Sequence, residues 1–239
     1  MASLMCNDSE GGRGGGGGGG RGRVFVIEGS ISAGKSTLAE ALATHVRDRL
    51  GFPSTAVLEE LDPAALDVFY EHMELAPVFQ NMVIENTLAR LRKAFQLAHA
   101  GHVVFLDRGF TATRIFAMTL RNKIPAGMLS MHLGMIDKLA SHMARPDLGI
   151  YLRTPAAICF QRMQNRGRQC EANVTPEYLT ALEAMHDYML GEGGGTYKPP
   201  EMPVMGYVVI EGSDGLTAAA VLEKIGECVQ RFQKDHATQ

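Results

Sequence analysis

The residues best suited to chemistry in this sequence form a glycine-rich loop that ends in Lys-Ser. Residues 29–36 read GSISAGKS and satisfy the pattern GxxxxGK[ST], after an apolar run and before a segment of helical period. Glycines at 29 and 34 let backbone N–H groups turn towards a phosphate, Lys35 adds a cation, and the Ser36 hydroxyl can ligate Mg²⁺. The sequence therefore predicts an ATP site formed by Gly29, Ser30, Ile31, Ser32, Ala33, Gly34, Lys35, Ser36 and Thr37.

A carboxylate and a guanidinium follow the third apolar run, at Asp107 and Arg108. Ligands of open α/β folds bind at the carboxyl ends of the strands, so both side chains are expected near the phosphates. We predict that Asp107 binds Mg²⁺ together with Ser36 and that Arg108 contacts the reacting oxygens. The alternative is that Asp107 and Arg108 cap the next helix and pair with each other.

Three arginines lie within seven residues at the end of a predicted helix, at Arg162, Arg166 and Arg168, with Glu171 just beyond. A transferring phosphoryl group carries charge on several oxygens, and arginines that close over it supply the stabilisation that this reaction needs. The pattern therefore predicts an arginine-rich lid. The alternative is an ordinary solvated basic face of a helix.

Short apolar runs rich in β-branched residues alternate with longer segments of helical period, which is typical of βα units around a parallel sheet. The predicted strands span residues 24–28, 55–59, 103–106, 148–152 and 207–210. The predicted helices span residues 35–50, 77–99, 126–144, 155–166, 176–190 and 216–233. We expect an α/β fold of the P-loop type, a three-layer sandwich in which helices cover both faces of a five-stranded parallel sheet.

Composition, net charge and the length of apolar runs limit the class of protein and the partners that are expected. Residues 1–23 are rich in glycine and have little to bury, so we expect a disordered tail before a single domain over residues 24–239. The net charge of −3 argues against nucleic acid as a partner, and no apolar run approaches the roughly 18 residues of a membrane span. We expect a cytoplasmic protein, with mitochondrial targeting by the arginines of the tail as a less favoured alternative.

Five segments, in order along the chain, are similar to motifs of the deoxynucleoside kinase family. This family includes insect and mitochondrial enzymes and, more distantly, the thymidine kinases of herpesviruses. The segments are GSISAGKS, Phe79-Gln80, Leu106-Asp107-Arg108, RPDLGIYL from Arg145, and RMQNRGRQCEANVTPEYLTALEAMH from Arg162. The resemblance implies a homodimer that salvages nucleosides by transferring the γ-phosphoryl group of ATP, with Mg²⁺, to the 5′-hydroxyl of a deoxynucleoside.

The same resemblance implies roles for residues on the acceptor side. The general base of the family is a glutamate after the second strand, which corresponds here to Glu60, with Glu59 as the alternative register. Gln80 resembles the residue that reads the base, because one amide can donate and accept at once. Tyr70 and Glu171 resemble the pair that holds the 3′-hydroxyl group.

Catalytic groups are implied in the same way. Arg108 matches the family's arginine near the 5′-hydroxyl group, and Arg166 and Arg168 match its lid arginines. The implied catalytic set is Glu60, Arg108, Lys35, Arg166 and Arg168.

The preferred nucleobase is inferred from the aromatic residues and from the residues at two positions beside the base. Phe116 or Phe79 is expected to stack on the base. The deoxycytidine and purine kinases of the family carry an Arg–Asp pair beside the base, and the matching positions here are Val83 and Thr113. We therefore expect thymidine as the preferred substrate and deoxycytidine as the second.

Two other functions share parts of this pattern. A thymidylate kinase also has a P-loop, an Asp-Arg pair and an arginine lid, but the carboxylates of Glu59 and Glu60 would repel a monophosphate acceptor. A nucleotide-binding module without catalysis would keep the P-loop alone. Turnover of a nucleoside separates both from the kinase.

Overall fold

The computed structural model describes residues 22–72, 75–191, 204, 206–213 and 215–226. Most of the predicted tail, residues 1–21, lies outside the described residues. The last two residues assigned to the tail pack against the domain: the Gly22 N–H donates to the Ala98 carbonyl at 2.8 Å, and Arg23 pairs with Asp147 at 3.2 Å. The described domain therefore includes residues 22 and 23.

Five parallel strands form one sheet, as predicted. The strands are β1 (Val24–Glu28), β2 (Ser54–Val57), β3 (Val103–Asp107), β4 (Leu148–Arg153) and β5 (Tyr207–Glu211). Their order across the sheet is β2-β3-β1-β4-β5. All carboxyl ends therefore meet at one edge, and β2 ends two residues earlier than the sequence predicted.

Helices cover both faces of the sheet because the side chains of β1 alternate between two apolar clusters. Phe25 and Ile27 pack with α1 (Lys35–Leu50), α6 (Ala156–Arg166) and α7 (Pro176–Leu190). Val24 and Val26 face the other side, against α3 (Ala76–His99) and α5 (Ala126–Ser141). Strands buried on both faces read as continuous apolar runs, which is why the sequence pattern found them.

Two helices were missing from the prediction, α2 (Pro63–Glu71) and α4 (Phe110–Thr119). Helix α2 is short, and it begins where the Asp62 carboxylate caps the Ala64 N–H at 2.9 Å. Helix α4 is rich in threonine and is mostly buried, so its packing overrides a weak helical propensity. The last predicted helix appears over residues 218–226, and its remainder lies outside the described residues.

No helix of the described part of the chain has both the length and the apolar character needed to cross a membrane.

The sheet makes a close contact at Gly149, where the ring of Tyr207 on β5 lies over a residue without a side chain. A Cβ atom at this position would come within 2.2 Å of the ring. Glycine inside a strand often marks such a close approach.

We predict that Gly149→Ala lowers the free energy of unfolding by about 1–3 kcal/mol, because the ring of Tyr207 must shift. Urea denaturation of the variant measures the loss. Gly127→Ala is a matched control, since a Cβ atom there meets nothing within 4 Å. The loss should shrink in a Tyr207→Ala background, and fully additive effects would contradict this explanation.

Candidate active site

A cavity of about 720 Å³ opens at the carboxyl ends of the strands. It is lined by most of the predicted site residues, from the loop after β1, the ends of β2 and β3, and helices α2, α3, α4 and α6. These residues are Ile31, Ser32, Ala33, Gly34, Lys35, Ser36, Thr37, Tyr70, Phe79, Gln80, Asp107, Arg108, Phe116, Arg166, Arg168 and Glu171.

The loop after β1 has the backbone geometry that a phosphate cradle requires. Gly29 and Gly34 have φ angles of 154° and 100°, and Ser32 has a φ angle of 58°. A Cβ atom at Gly29 would lie 2.7 Å from the Leu152 carbonyl oxygen, so this position accepts only glycine. The loop leads into the N-terminus of α1, where the helix dipole favours an anion.

Ser36 and Asp107 have a geometry that fits Mg²⁺. The Ser36 hydroxyl donates to Asp107 Oδ2 at 2.5 Å. Asp107 is only 2% exposed, and its Oδ1 atom has no hydrogen-bond partner among the described residues. Magnesium sites use one or two protein oxygens together with substrate phosphates and water. The two residues therefore fit the ion that the sequence predicted for them.

Burial shifts the pKa values of two residues beside this loop. It lowers the pKa of Lys35 to about 8, with a further contribution from the positive charge of Arg108. The Lys35 ammonium donates to the Ser30 carbonyl at 2.7 Å. Burial also raises the pKa of Glu28 to about 8, although its carboxylate accepts a hydrogen bond from the Gly109 N–H at 3.1 Å. Sequence analysis missed Glu28, whose signal is a carboxylate that ends a fully buried strand.

The structure places the side chain of Glu59, rather than that of Glu60, in the cavity. The Glu60 side chain is exposed, and its backbone carbonyl accepts a hydrogen bond from Asn86 Nδ2 at 2.9 Å. The Glu59 side chain lines the cavity and is 10% exposed. It is drawn inward because Arg108 and Arg90 neutralise its charge, with Arg90 Nη2 3.4 Å from Glu59 Oε1. The Glu60 side chain thus lies outside the cavity, contrary to the prediction, and the alternative register at Glu59 fits the structure. The role of Glu59 as the base stays a prediction.

Arg108 lies at the centre of the cavity, in a backbone conformation that favours glycine (φ 63°). One end of its guanidinium pairs with Glu59, and the other lies 3.5 Å from the Gly29 carbonyl. Its carbon lies 5.0 Å from the centre of the Phe116 ring. Burial disfavours the charge, but Glu59 and Asp107 outweigh it and raise the pKa of Arg108. Arg108 thus pairs with Glu59 rather than with Asp107.

The arginines at the end of α6 lie against the phosphate loop. Arg166 donates to the Ser32 hydroxyl at 2.9 Å and pairs with Glu171 at 2.5 Å. Arg162 donates to the Ala33 carbonyl at 3.1 Å, and Arg168 is exposed at the rim of the cavity. The guanidinium groups are thus collected at one site, and their movement as a lid stays a prediction.

The opposite end of the cavity is aromatic and contains polar atoms without partners. Phe79 stacks on Phe69, with ring centres 4.3 Å apart and planes at 16°. Gln80 Oε1 and Glu171 Oε2 belong to side chains that line the cavity, are buried, and have no hydrogen-bond partner among the described residues. Such groups cost about 1–3 kcal/mol each when unpaired, so they are placed to bind a ligand.

Val83 and Thr113, the positions matched to a charged pair, both line this end of the cavity. Thr113 Oγ1 lies 3.4 Å from Thr87 Oγ1, one helical turn beyond Val83 on α3. The residue that faces Thr113 is therefore Thr87, whereas the sequence had indicated Val83. Neither side chain carries a charge.

The model of the deoxynucleoside kinase family matches residues 25–232 of this chain, which is most of its length. The chain belongs to the deoxynucleoside kinase family. The fold described above is that of this family.

Individual relatives of this kinase differ in the substrate for which they are named. The chain is 28% identical over 178 residues to a deoxyguanosine kinase of Dictyostelium discoideum and covers 59% of that protein's length and 71% of its own. It is 29% identical over 180 residues to a thymidine kinase of Ictalurid herpesvirus 1, covering 75% of the viral protein and 71% of this chain.

Solved structures agree on the fold. A deoxyadenosine kinase from M. mycoides with bound dCTP superposes with a TM-score of 0.64 at 16% identity, covering 85% of this chain and 99% of the other.

The depressed pKa of Lys35 predicts how ATP binding by this kinase depends on pH. Above about pH 8 the ligand-free protein loses the Lys35 charge. The dissociation constant of the wild type for ATP should therefore rise above this pH, by up to about tenfold per pH unit from the loss of this charge alone. The Lys35→Met variant lacks this contribution, so its slope should be smaller. Without the Lys35 charge the pKa of Glu28 rises further, so Glu28 stays protonated to higher pH in the variant and the comparison is made on the steepness of the wild-type slope. Calorimetric titration between pH 7.5 and pH 9.5 measures both slopes, and equal slopes would contradict the assignment.

Proposed function

We propose that this protein transfers the γ-phosphoryl group of ATP to the 5′-hydroxyl group of a deoxynucleoside, with thymidine preferred and deoxycytidine second. The observation that carries the proposal is the content of one cavity. This cavity contains the phosphate loop, the Glu59 carboxylate and the aromatic rings of Phe79 and Phe116. ATP, an attacking hydroxyl group with its proton acceptor, and a nucleobase need these three parts.

On the acceptor side, each group has a role that its surroundings support. Tyr70 and Glu171 line the cavity and would hold the sugar hydroxyl, while Gln80 would bind the base edge. Gln80 is 2% exposed and keeps an unpaired oxygen, so its amide is available to a ligand. Phe79 is already stacked on Phe69, and Phe116 packs under Arg108, so the two rings would bound the base on either side.

The transfer step needs a proton acceptor at the attacking oxygen. Glu59 would accept the proton of the 5′-hydroxyl as that oxygen forms its bond to the γ-phosphorus. The bond from the γ-phosphorus to the bridging oxygen breaks at the same time, and its electron pair leaves with ADP. The products are the deoxynucleoside 5′-monophosphate, ADP and a proton that leaves through Glu59.

Charge that builds up on the phosphoryl oxygens meets several cations. Lys35, Arg108, Arg166 and Arg168 line the cavity around the phosphate loop and would stabilise these oxygens. Ser36 and Asp107 would hold Mg²⁺, which neutralises charge on the β- and γ-phosphate oxygens when bound.

The preference for a pyrimidine rests on the base end of the cavity. Val83 and Thr113 line it and supply an apolar group and a hydroxyl in place of an ionic pair, with Thr87 beside Thr113. The similarity to a viral thymidine kinase is compatible with this preference, although relatives named for purine nucleosides match equally well.

A thymidylate kinase is less well supported. The acceptor side of the cavity contains two carboxylates, Glu59 and Glu171, both already paired with arginines. An acceptor phosphate in the same place would have to compete with these carboxylates for the arginines.

We predict that Glu59→Gln lowers kcat for thymidine by about 10²–10⁴-fold, because the amide cannot accept the proton. Glu60→Gln is the matched control one residue away, and its kcat should stay near that of the wild type. A coupled assay of ADP release with Mg²⁺ and ATP measures both variants. A large loss in Glu60→Gln with an active Glu59→Gln would restore the original register.

We also predict the order of kcat/KM values as thymidine, then deoxycytidine, then the two purine deoxynucleosides, because Val83 and Thr113 carry no charge with which to bind the other bases. The same assay with each nucleoside and with thymidylate measures the order. A higher kcat/KM for deoxyguanosine or deoxyadenosine would contradict the pyrimidine preference, and turnover of thymidylate alone would favour a monophosphate kinase.

A further inference from the structure

Arg90 is a buried cation on α3 that does not line the cavity. Its side chain is 9% exposed and lies on the inward face of the helix, one turn beyond Thr87. Burial lowers the pKa of Arg90, so its surroundings must offset the cost of keeping it there.

All five N–H donors of the Arg90 guanidinium have acceptors. The acceptors are Asn86 Oδ1 at 2.7 Å, Thr87 Oγ1 at 3.2 Å, Glu59 Oε1 at 3.4 Å, the Arg108 carbonyl at 3.0 Å and the Asp107 carbonyl. A guanidinium offers five donors in one plane, so its hydrogen-bonding capacity is fully used. Complete use of the donors indicates a built contact rather than a cation that is incidentally buried.

These bonds connect the segments that carry the acceptor chemistry. Two acceptors are the backbone carbonyls of Asp107 and Arg108, at the turn where Arg108 adopts its left-handed conformation. Another is the Glu59 carboxylate after β2. Arg90 thus connects the end of β2 to the end of β3 from behind the cavity.

The Glu59 carboxylate is divided between two guanidinium groups. Its Oε2 atom pairs with Arg108, inside the cavity, and its Oε1 atom faces Arg90, behind the cavity wall. Asn86 reinforces the arrangement from the same helix, because it accepts from Arg90 Nε and donates to the Glu60 carbonyl at 2.9 Å. If Arg108 turns towards a phosphate, the contact with Arg90 still holds the carboxylate.

We propose that Arg90 is a positioning residue for phosphoryl transfer, which fixes the Glu59 carboxylate and the Asp107–Arg108 turn without touching either substrate. This inference rests on the proposed kinase function. It requires the planar fork of arginine, because one ammonium group cannot reach a carboxylate, a hydroxyl and two carbonyls in one plane.

The test compares Arg90→Lys and Arg90→Met with the wild type, using Arg92→Met as the matched control on the exposed side of α3. Thymidine and deoxycytidine are the acceptors, and active protein is counted by titration with ADP in the absence of Mg²⁺, since Arg90 bonds to the turn that carries Asp107 but not to the phosphate loop. In both Arg90 variants kcat, counted per ADP-binding site, should fall by about 10²-fold, because the Glu59 carboxylate is misplaced. KM for the nucleoside and the affinity for ADP should stay close to the wild-type values.

Three results would overturn the inference. They are a wild-type kcat in Arg90→Lys, a fall in ADP affinity that matches the fall in kcat, or the same loss in Arg92→Met. Arg90→Lys decides the matter if Arg90→Met does not fold, because it keeps the buried charge. A wild-type protein without turnover on any deoxynucleoside would instead refute the proposed function, so the two failures are distinguishable.

Discussion

The Glu59 carboxylate, shared between Arg108 and Arg90, is the interaction on which the acceptor side of this molecule depends. It lies between the ends of β2 and β3, and two cations offset the cost of its burial. Removing the carboxylate would leave two neighbouring guanidinium groups without it in the wall of the cavity. The same contact fixes Arg108, whose guanidinium also packs on Phe116. The same contact therefore positions the Glu59 carboxylate, the Arg108 guanidinium and the Phe116 ring together.

The donor side depends on backbone geometry rather than on ion pairs. The loop after β1 closes because Gly29 passes directly under the Leu152 carbonyl and Gly34 adopts a left-handed conformation. Burial on both faces holds β1 at the centre of the sheet, between β3 and β4. This rigid frame brings Ser36 and Asp107, which are far apart in sequence, within hydrogen-bond distance. The donor and acceptor sides then meet at Arg108.

The sequence was sufficient for the sheet, the phosphate loop and most of the cavity, because apolar runs and the GxxxxGK[ST] pattern are local signals. It placed Glu60 in the site because the register after β2 depends on tertiary charge partners, which no local pattern reveals. Arg90 was missed for the same reason. Its signal was a charged residue in the buried stripe of α3 that includes Gln80, Val83 and Thr87. Helix α4 was missed because burial, rather than propensity, stabilises it.

A crystal structure with thymidine and ADP bound would test the central claim most directly. The account predicts a Glu59 carboxylate oxygen about 2.6–3.2 Å from the 5′-oxygen of thymidine, with Arg90 still on the other oxygen and Glu60 in solvent. A 5′-oxygen that contacts Glu60, or a Glu59 carboxylate that has turned away from the nucleoside, would contradict it.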